Sequence, residues 1–269
     1  MKKLASLLMS GLLVFSLASC QSTPQDPAEA YKAACEKTAT LTATDYDATI
    51  AAQVEASGMS MNIDMDIGMK LDMKDKQNPK MALDLSTSLF GQSVEGSLVC
   101  TDGTCYVSSM GEKSKFAYTA EDLTSVGLDK GISMDFSLPE GTEITTKQEN
   151  GNTVYCFEVS GEELVASSSF LMDSFTDSMG TDNQIGTITC EMSVNSEGYI
   201  VRQLLTIPVT TSQSGVEMTM NMTFDMNLTN YGDKVSITAP EDASSYPEGD
   251  AVDFSTLFSL SLIHISEPT

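Results

Sequence analysis

The sequence predicts an α+β domain made of many antiparallel strands and two or three helices. Long stretches alternate between apolar and polar residues, and turn dipeptides such as Asp102-Gly103 and Asn150-Gly151 separate them. Helical patterns occur near residues 27–40, 120–125 and 160–175. Alternation with a period of two is typical of strands with one buried face, and many such strands with few helices indicate an α+β fold.

The N-terminus predicts export and lipidation. Lys2 and Lys3 precede an apolar run from Leu4 to Leu17, which is too short for a membrane span and typical of a signal peptide. The sequence Leu17-Ala18-Ser19-Cys20 resembles the bacterial lipobox, in which the cysteine is diacylated with chains such as palmitate. The alternative is an ordinary signal peptide with a coincidental cysteine. We therefore expect residues 1–19 to be the signal peptide, Cys20 to be the lipidation site and residues 20–27 to be a polar tether.

The first helix and the longest strand follow this tether. Asp26 and Pro27 suit the N-cap and first position of a helix that extends to about Thr40. The longest alternation then places eight apolar residues on one face: Met59, Met61, Ile63, Met65, Ile67, Met69, Leu71 and Met73. A strand of that length extends about 50 Å, so we expect it to bend or break at Gly68.

A second stripe with the same spacing lies near the C-terminus, at Met218, Met220, Met222, Phe224 and Met226. Other strands are predicted at 46–56, 81–89, 98–100, 105–107, 143–147, 153–159, 188–194, 199–209 and 234–238. Ser160-Gly161-Glu162-Glu163 resembles a capping box and predicts a helix through about Phe175. A weaker helical pattern covers Ala120 to Ser125.

Two cysteines flank the predicted turn at Asp102-Gly103. In a two-residue hairpin Cys100 and Cys105 face each other at a non-hydrogen-bonded pair, where side chains approach most closely. A cross-strand disulfide there suits an exported protein, and two free thiols are the alternative. The pairing of Cys35, Cys156 and Cys190 is left open.

Composition argues against several functional classes. The net charge of −24 repels nucleic acid and anionic headgroups, and no nucleotide-binding or serine-hydrolase motif is present. The only histidine, His264, falls in residues 260–269, which resemble a translated sequencing adapter and are predicted to be an artefact. We therefore expect no enzyme activity, no cofactor and no metal site. Residues 248–259 are assigned to a C-terminal extension.

The order of these elements resembles the LolA-like lipoprotein superfamily, especially Met-rich lipoproteins of Gram-positive bacteria and the LppX/LprG group. The lipobox, Tyr31-Lys32-Ala33-Ala34, the stripe from Met59 to Met73, Cys105-Tyr106-Val107 and residues 230–240 carry the resemblance. It implies a LolA-like domain over residues 28–247, with a curved antiparallel half-barrel sheet and helices packed on its concave face. It also implies a cell-envelope location on the outer face of the plasma membrane, of the Gram-positive type. Relatives carry acyl chains on the concave face, although this chain differs from characterised carriers in its many methionines.

The methionine stripes admit three interpretations. They form an ordinary core, or an adaptable surface for a lipid or another apolar ligand, since the thioether side chain fits irregular shapes. Copper binding by thioethers is the third, which the absence of a supporting histidine disfavours. The functional prediction is a lipid-anchored, ligand-binding protein of the cell envelope. The alternative is an envelope scaffold or sensor with a closed core that acts through a protein partner.

Overall fold

The computed structural model describes residues 26–56, 58–89, 92–125, 138, 141–161, 183–213 and 216–249. The predicted signal peptide, Cys20, most of the tether, the helix predicted beyond Gly161 and the segment from residue 250 lie outside the described residues.

Two α-helices and twelve strands make up the described chain. The helices are α1 (Pro27–Thr38) and α2 (Ala120–Ser125). The strands are β1 (Ala43–Ala56), β2 (Met59–Asp72), β3 (Lys80–Leu89), β4 (Gln92–Thr101), β5 (Thr104–Ser109), β6 (Glu112–Ala117), β7 (Thr145–Glu149), β8 (Asn152–Val159), β9 (Asn183–Ile185), β10 (Ile188–Val194), β11 (Ile200–Gln213) and β12 (Val216–Tyr231).

All twelve strands belong to one open, curved sheet. Eleven follow the order β6-β5-β4-β3-β2-β1-β12-β11-β10-β8-β7, and β9 pairs with β11 beside that path. Their pairings are antiparallel, so the sheet consists of two meanders joined where β12 lies beside β1. This arrangement of mostly antiparallel strands with few helices is consistent with a half-barrel.

Local turn and cap chemistry agrees with the sequence predictions. Asp102 and Gly103 have φ angles of 52° and 79°, and Asn150 and Gly151 have 51° and 83°. Two consecutive positive φ values define the type I′ turn that matches the twist of a hairpin. Asp26 caps α1 by accepting a hydrogen bond from the amide of Ala28 at 3.0 Å.

The predicted break at Gly68 is wrong, because the strand is continuous there. β2 extends from Met59 to Asp72, and Gly68 pairs with Asp47 on one side and Asp84 on the other. Because both neighbouring strands satisfy the backbone here, the strand continues through the glycine. It ends one residue before Met73, whose amide donates to the carbonyl of Thr42.

The predicted strand at 234–238 is wrong. A 3-10 turn over Gly232–Lys234 occupies its start, and no strand is assigned to the described residues that follow. Val235 and Ile237 are nevertheless buried, which explains the alternating pattern. Alternation records which side of an extended segment is buried and does not require a strand partner.

Two hydrophobic clusters form the core. The larger contains Tyr31 and Ala34 of α1 together with inward residues of β1, β8, β10, β11 and β12. The smaller contains Leu123 of α2 with Leu71, Met81 and other residues of β2 to β6. Tyr31 lies 5.2 Å from the ring of Phe157, centre to centre, which fixes α1 on the sheet. Each cluster thus places one helix against the sheet.

Candidate ligand-binding face

Strand pairing brings the two methionine stripes onto the same side of the sheet. β1 lies between β2 and β12, so that Val54 pairs with Met61 on one side and with Met220 on the other. Ala52 pairs likewise with Ile63 and Met222. Neighbouring strands are about 4.8 Å apart, so the stripes of β2 and β12 are separated by about 10 Å. We call this side of the sheet the apolar face.

Residues of other strands extend the apolar face. On β3 and β4, Leu85 pairs with both Ile67 and Gly96, and Thr87 pairs with both Met65 and Val94. The alternation predicted for β3 already indicated Leu85. The contribution of Val94 was missed, because residues 92–95 carry no clear alternation beside the strand that was predicted at 98–100.

Burial changes along the length of the apolar face. We call the end where β1 begins at Ala43 and β2 ends at Asp72 the proximal end. The opposite end, formed by Ala56, Met59 and the neighbouring ends of β3, β4, β11 and β12, is the distal end. Along β1, β2 and β12, side chains of the apolar face are buried toward the proximal end and become more accessible toward the distal end, whereas on β11 they stay buried as far as Val209.

The β2 stripe shows this gradient most clearly. Leu71 is 4% exposed and Met69 is 9% exposed, whereas Met61 is 38% exposed and Met59 is 74% exposed. Ile63, Met65 and Ile67 are intermediate. On β12, Met222, Phe224 and Met226 are buried and Met218 and Met220 are intermediate. Met73 follows the strand and packs against the smaller cluster.

The gradient follows from the position of the helices. Within the described residues, Ile63 and Ile67 pack against the larger cluster and Met73 against the smaller, whereas Met59, Met61 and Met65 belong to neither. The proximal part of the apolar face is therefore core, and so is its β11–β12 side as far as Val209 and Met220. The accessible apolar surface lies at the distal end of β2. Accessible apolar patches on a sheet are typical of ligand or partner surfaces.

The buried part of the apolar face also contains polar side chains, among them Tyr46 and Gln203. Burial raises the pKa of Tyr46 to about 12, so its phenol is neutral at physiological pH. Gln203 pairs with Met192 and Met226, and no described residue supplies a hydrogen-bond partner to its buried Oε1 atom. Neither group introduces charge into the apolar face.

The opposite side of the sheet is polar. An open groove of about 560 Å³ there is lined by residues that include Asp66, Asp84 and Glu95. Burial raises the pKa of Asp84, and the nearby charge of Lys70 opposes that rise. Among the described residues no group of three or more acidic, cysteine or histidine side chains is placed to hold a metal ion.

An ion pair also lies on the polar side. Nε and Nη2 of Arg202 donate to the two carboxylate oxygens of Asp225, at 2.8 and 2.7 Å. These hydrogen bonds lower the pKa of Asp225 and raise that of Arg202. The pair joins β11 to β12 behind the apolar face.

The cysteines occupy different environments. Cys100 and Cys105 face each other across the β4–β5 hairpin, with Cα atoms 4.0 Å apart, and their sulfurs are bonded in a disulfide. Cys190 is a buried thiol on the apolar face, and burial raises its pKa to about 12. Cys156 pairs with Glu191 on the polar side, opposite in direction to Phe157, as the strand pattern predicts. Cys35 is a partly exposed thiol of α1.

No helix within the described ranges is long and apolar enough to cross a membrane.

No protein-family model matches the chain, and no curated protein sequence matches it either. Similar solved structures include LprF from Mycobacterium bovis, at 13% identity over 80% of this chain and 96% of that chain, with a TM-score of 0.47. They also include the lipoprotein LppX from Mycobacterium tuberculosis, at 12% identity over 79% of this chain and 100% of that chain, with a TM-score of 0.34. A LolA superfamily protein from Nitrosomonas europaea is 8% identical over 79% of this chain and 97% of that chain, with a TM-score of 0.25. All three TM-scores lie below 0.5.

Proposed function

We propose that this chain is a non-enzymatic cell-envelope lipoprotein that binds a lipid or another apolar ligand on its apolar face. Diacylated Cys20 anchors it to the outer face of the plasma membrane in a Gram-positive type of envelope, and it is related to Met-rich lipoproteins of Gram-positive bacteria. The side of the sheet that carries α1 and α2 is the concave side of the half-barrel.

The accessible distal part of the apolar face carries this proposal. Met59 and Met61 are the outermost members of a continuous stripe, and they remain accessible although the same stripe is buried at Met69 and Leu71. Burying an accessible apolar side chain against a ligand contributes about 25 cal/mol per Å². The flexible methionine side chains suit an acyl chain, which has no fixed shape.

Ligand binding is tested with two variants that add the same charge on opposite sides of β2. Met61→Asp places a carboxylate on the apolar face, and Asn62→Asp places one on the polar side next to it. We expect native mass spectrometry of the full mature chain with palmitic acid to show a complex for the wild type and for Asn62→Asp. Met61→Asp is expected to weaken the complex about tenfold, because a charge opposes burial of the acyl chain.

The scaffold alternative makes the opposite prediction. A closed core that acts only through protein contacts yields no palmitic acid complex and no co-purifying lipid in any variant. That outcome would remove the ligand-binding proposal and leave the anchor untouched.

The anchor is tested separately. The wild-type chain is expected to incorporate labelled palmitate and to sediment with membranes, whereas Cys20→Ser is expected to do neither, because it lacks the thiol that is acylated. Equal labelling of Cys20→Ser would contradict lipidation at this residue.

A further inference from the structure

The distal end of the sheet is poor in charge. Three segments that each connect two strands reach it, at residues 50–63, 85–94 and 205–222, and the register places the adjoining strand ends of all three at this end. Together they contain two charged side chains, Glu55 and Glu217, although charged residues make up 19% of the chain.

Two exposed methionines lie at the same end, and a third lies level with the middle of β1. Among the described residues, the large hydrophobic side chains left exposed are Met59 at 74%, Met61 at 38% and Met110 at 78%. Met59 begins β2 at the distal end, and Met61 follows on the same side of the strand. Met110 lies in the β5–β6 turn. Its amide donates to the carbonyl of Glu95 on β4. An apolar, charge-poor surface on an acidic protein is suited to an uncharged apolar partner rather than to a charged one.

The proximal end has the opposite character. Lys74 lies within 4 Å of the carboxylates of both Asp72 and Asp233, at 3.4 and 3.6 Å. Lys80 forms a further pair with Asp102 at 3.0 Å. Charged side chains of both signs therefore cover the proximal end, which suits contact with water.

The N-terminal end of helix α1 lies on the distal side of its C-terminal end. Its last turn is held at the proximal end, where the Ile200 amide donates to Oγ1 of Thr38 at 2.9 Å. Two turns earlier, Tyr31 packs on Phe157 of β8. Phe157 pairs with Cys190 of β10, which in turn pairs with Leu205 of β11, so Tyr31 lies at the same height along the sheet as Leu205. Since β11 extends from the proximal to the distal end, the N-terminus of α1 points toward the distal end.

The length of the tether is sufficient to bring the lipid anchor to that end. The chain from Cys20 to Pro27 spans at most about 25 Å. From Leu205 to the end of β11 at Gln213 is about 26 Å, and α1 extends a further turn beyond Tyr31 in that direction. A tether of this length allows an anchor at Cys20 and the apolar tips to meet one lipid surface.

We propose that the distal end docks on the lipid bilayer, with Met59 and Met61 inserted at its surface. This inference rests on the anchor of the proposed function, and it deepens the ligand-binding proposal. The accessible part of the apolar face then opens directly onto the bilayer, so an acyl chain passes between the two without crossing water.

The absence of tryptophan from the chain allows a direct test. Met59→Trp places a single fluorophore at the distal end, and Gln77→Trp places one in the exposed turn at the proximal end. Each full mature chain, with lipidation at Cys20 verified by mass, is reconstituted in phosphatidylcholine vesicles with and without brominated acyl chains. We expect blue-shifted emission and several-fold stronger quenching for Met59→Trp, and water-like, unquenched emission for Gln77→Trp.

A second substitution sharpens the test. Adding Met61→Asp to Met59→Trp is expected to lower the docked fraction about tenfold, and adding Asn62→Asp is expected to leave it unchanged. Absence of quenching in the lipidated Met59→Trp chain, or equal quenching in both tryptophan variants, would overturn the docking proposal. Neither result would affect the anchor or the palmitic acid complex, whereas failure of lipidation in the mass measurement would count against the proposed function itself.

Discussion

The apolar face has a core part and an accessible part, so methionine-to-alanine substitutions in the two parts should affect different properties of the protein. Met226 is 2% exposed and belongs to the larger cluster, whereas Met61 is 38% exposed and, among the described residues, belongs to neither cluster. Met226→Ala should therefore reduce stability, and Met61→Ala should reduce ligand affinity.

The expected magnitudes follow from these exposures. Truncating a fully buried methionine to alanine costs about 2–5 kcal/mol, the sum of the lost transfer free energy and the cavity that remains. With almost no exposed area at Met226, we expect a loss of about 3 kcal/mol in the free energy of unfolding. Substitutions at accessible sites away from special features stay within about 0.5 kcal/mol, and we expect Met61→Ala to lie near that limit.

Urea unfolding followed by far-ultraviolet circular dichroism measures both losses, without the ligand. Native mass spectrometry with palmitic acid gives the affinities, and Met61→Ala is expected to bind several-fold more weakly than wild type. If Met61→Ala lost as much stability as Met226→Ala, the distal half of the stripe would be core and the argument from exposure would be refuted.

Three further predictions concern the polar side and the cysteines. Arg202 lowers the pKa of Asp225, so this ion pair contributes above the unfolded pKa of about 3.9 and is lost as the pH falls through the lower folded pKa. Asp225→Asn should thus cost about 0.5–1 kcal/mol at pH 7 and progressively less below pH 4, measured as the free energy of unfolding against pH. Reduction of the disulfide between Cys100 and Cys105 should add two alkylated thiols to the denatured chain, counted by mass. Reduction should also lower the free energy of unfolding by roughly 2 kcal/mol, because the closed loop is short. An unchanged count would contradict the disulfide. Burial and a pKa of about 12 should protect Cys190 from alkylation at pH 8 until the chain is unfolded, and rapid labelling of the native protein would contradict its burial.

Features set by neighbouring residues could be predicted from the sequence. Asp26 and Pro27 begin α1 because the side-chain cap and the fixed φ of proline act within one turn. Asp102 and Gly103 form a type I′ turn because few residues adopt two successive positive φ values. The alternation of the long strands was equally readable, since it repeats every two residues.

Strands whose pattern depends on distant partners were not predicted. Phe116 is the one buried apolar side chain of β6. The other residues of this strand, which include two lysines, are partly or fully exposed, so its sequence shows no alternation of apolar and polar residues. Its outer edge is paired by a segment far along the chain: the Lys115 amide donates to the carbonyl of Pro247, and the Gly249 amide donates to the carbonyl of Lys115. Such pairing depends on contacts that no local pattern contains.

For the candidate site, the sequence by itself determined which residues share one side of each strand. The methionines of β2 share one side of that strand, and those of β12 share one side of theirs, because side chains alternate with a strict period of two in any extended chain. That the two stripes face the same side of the sheet follows from the register of both strands with β1. Only the tertiary structure decided that β1 lies between them and that Met226 is core while Met59 is exposed. Burial depends on where α1 and α2 pack, and the contacts of α1 join segments more than 100 residues apart, such as Tyr31 and Phe157. The same methionine pattern therefore serves as core at one end and as an accessible apolar surface at the other.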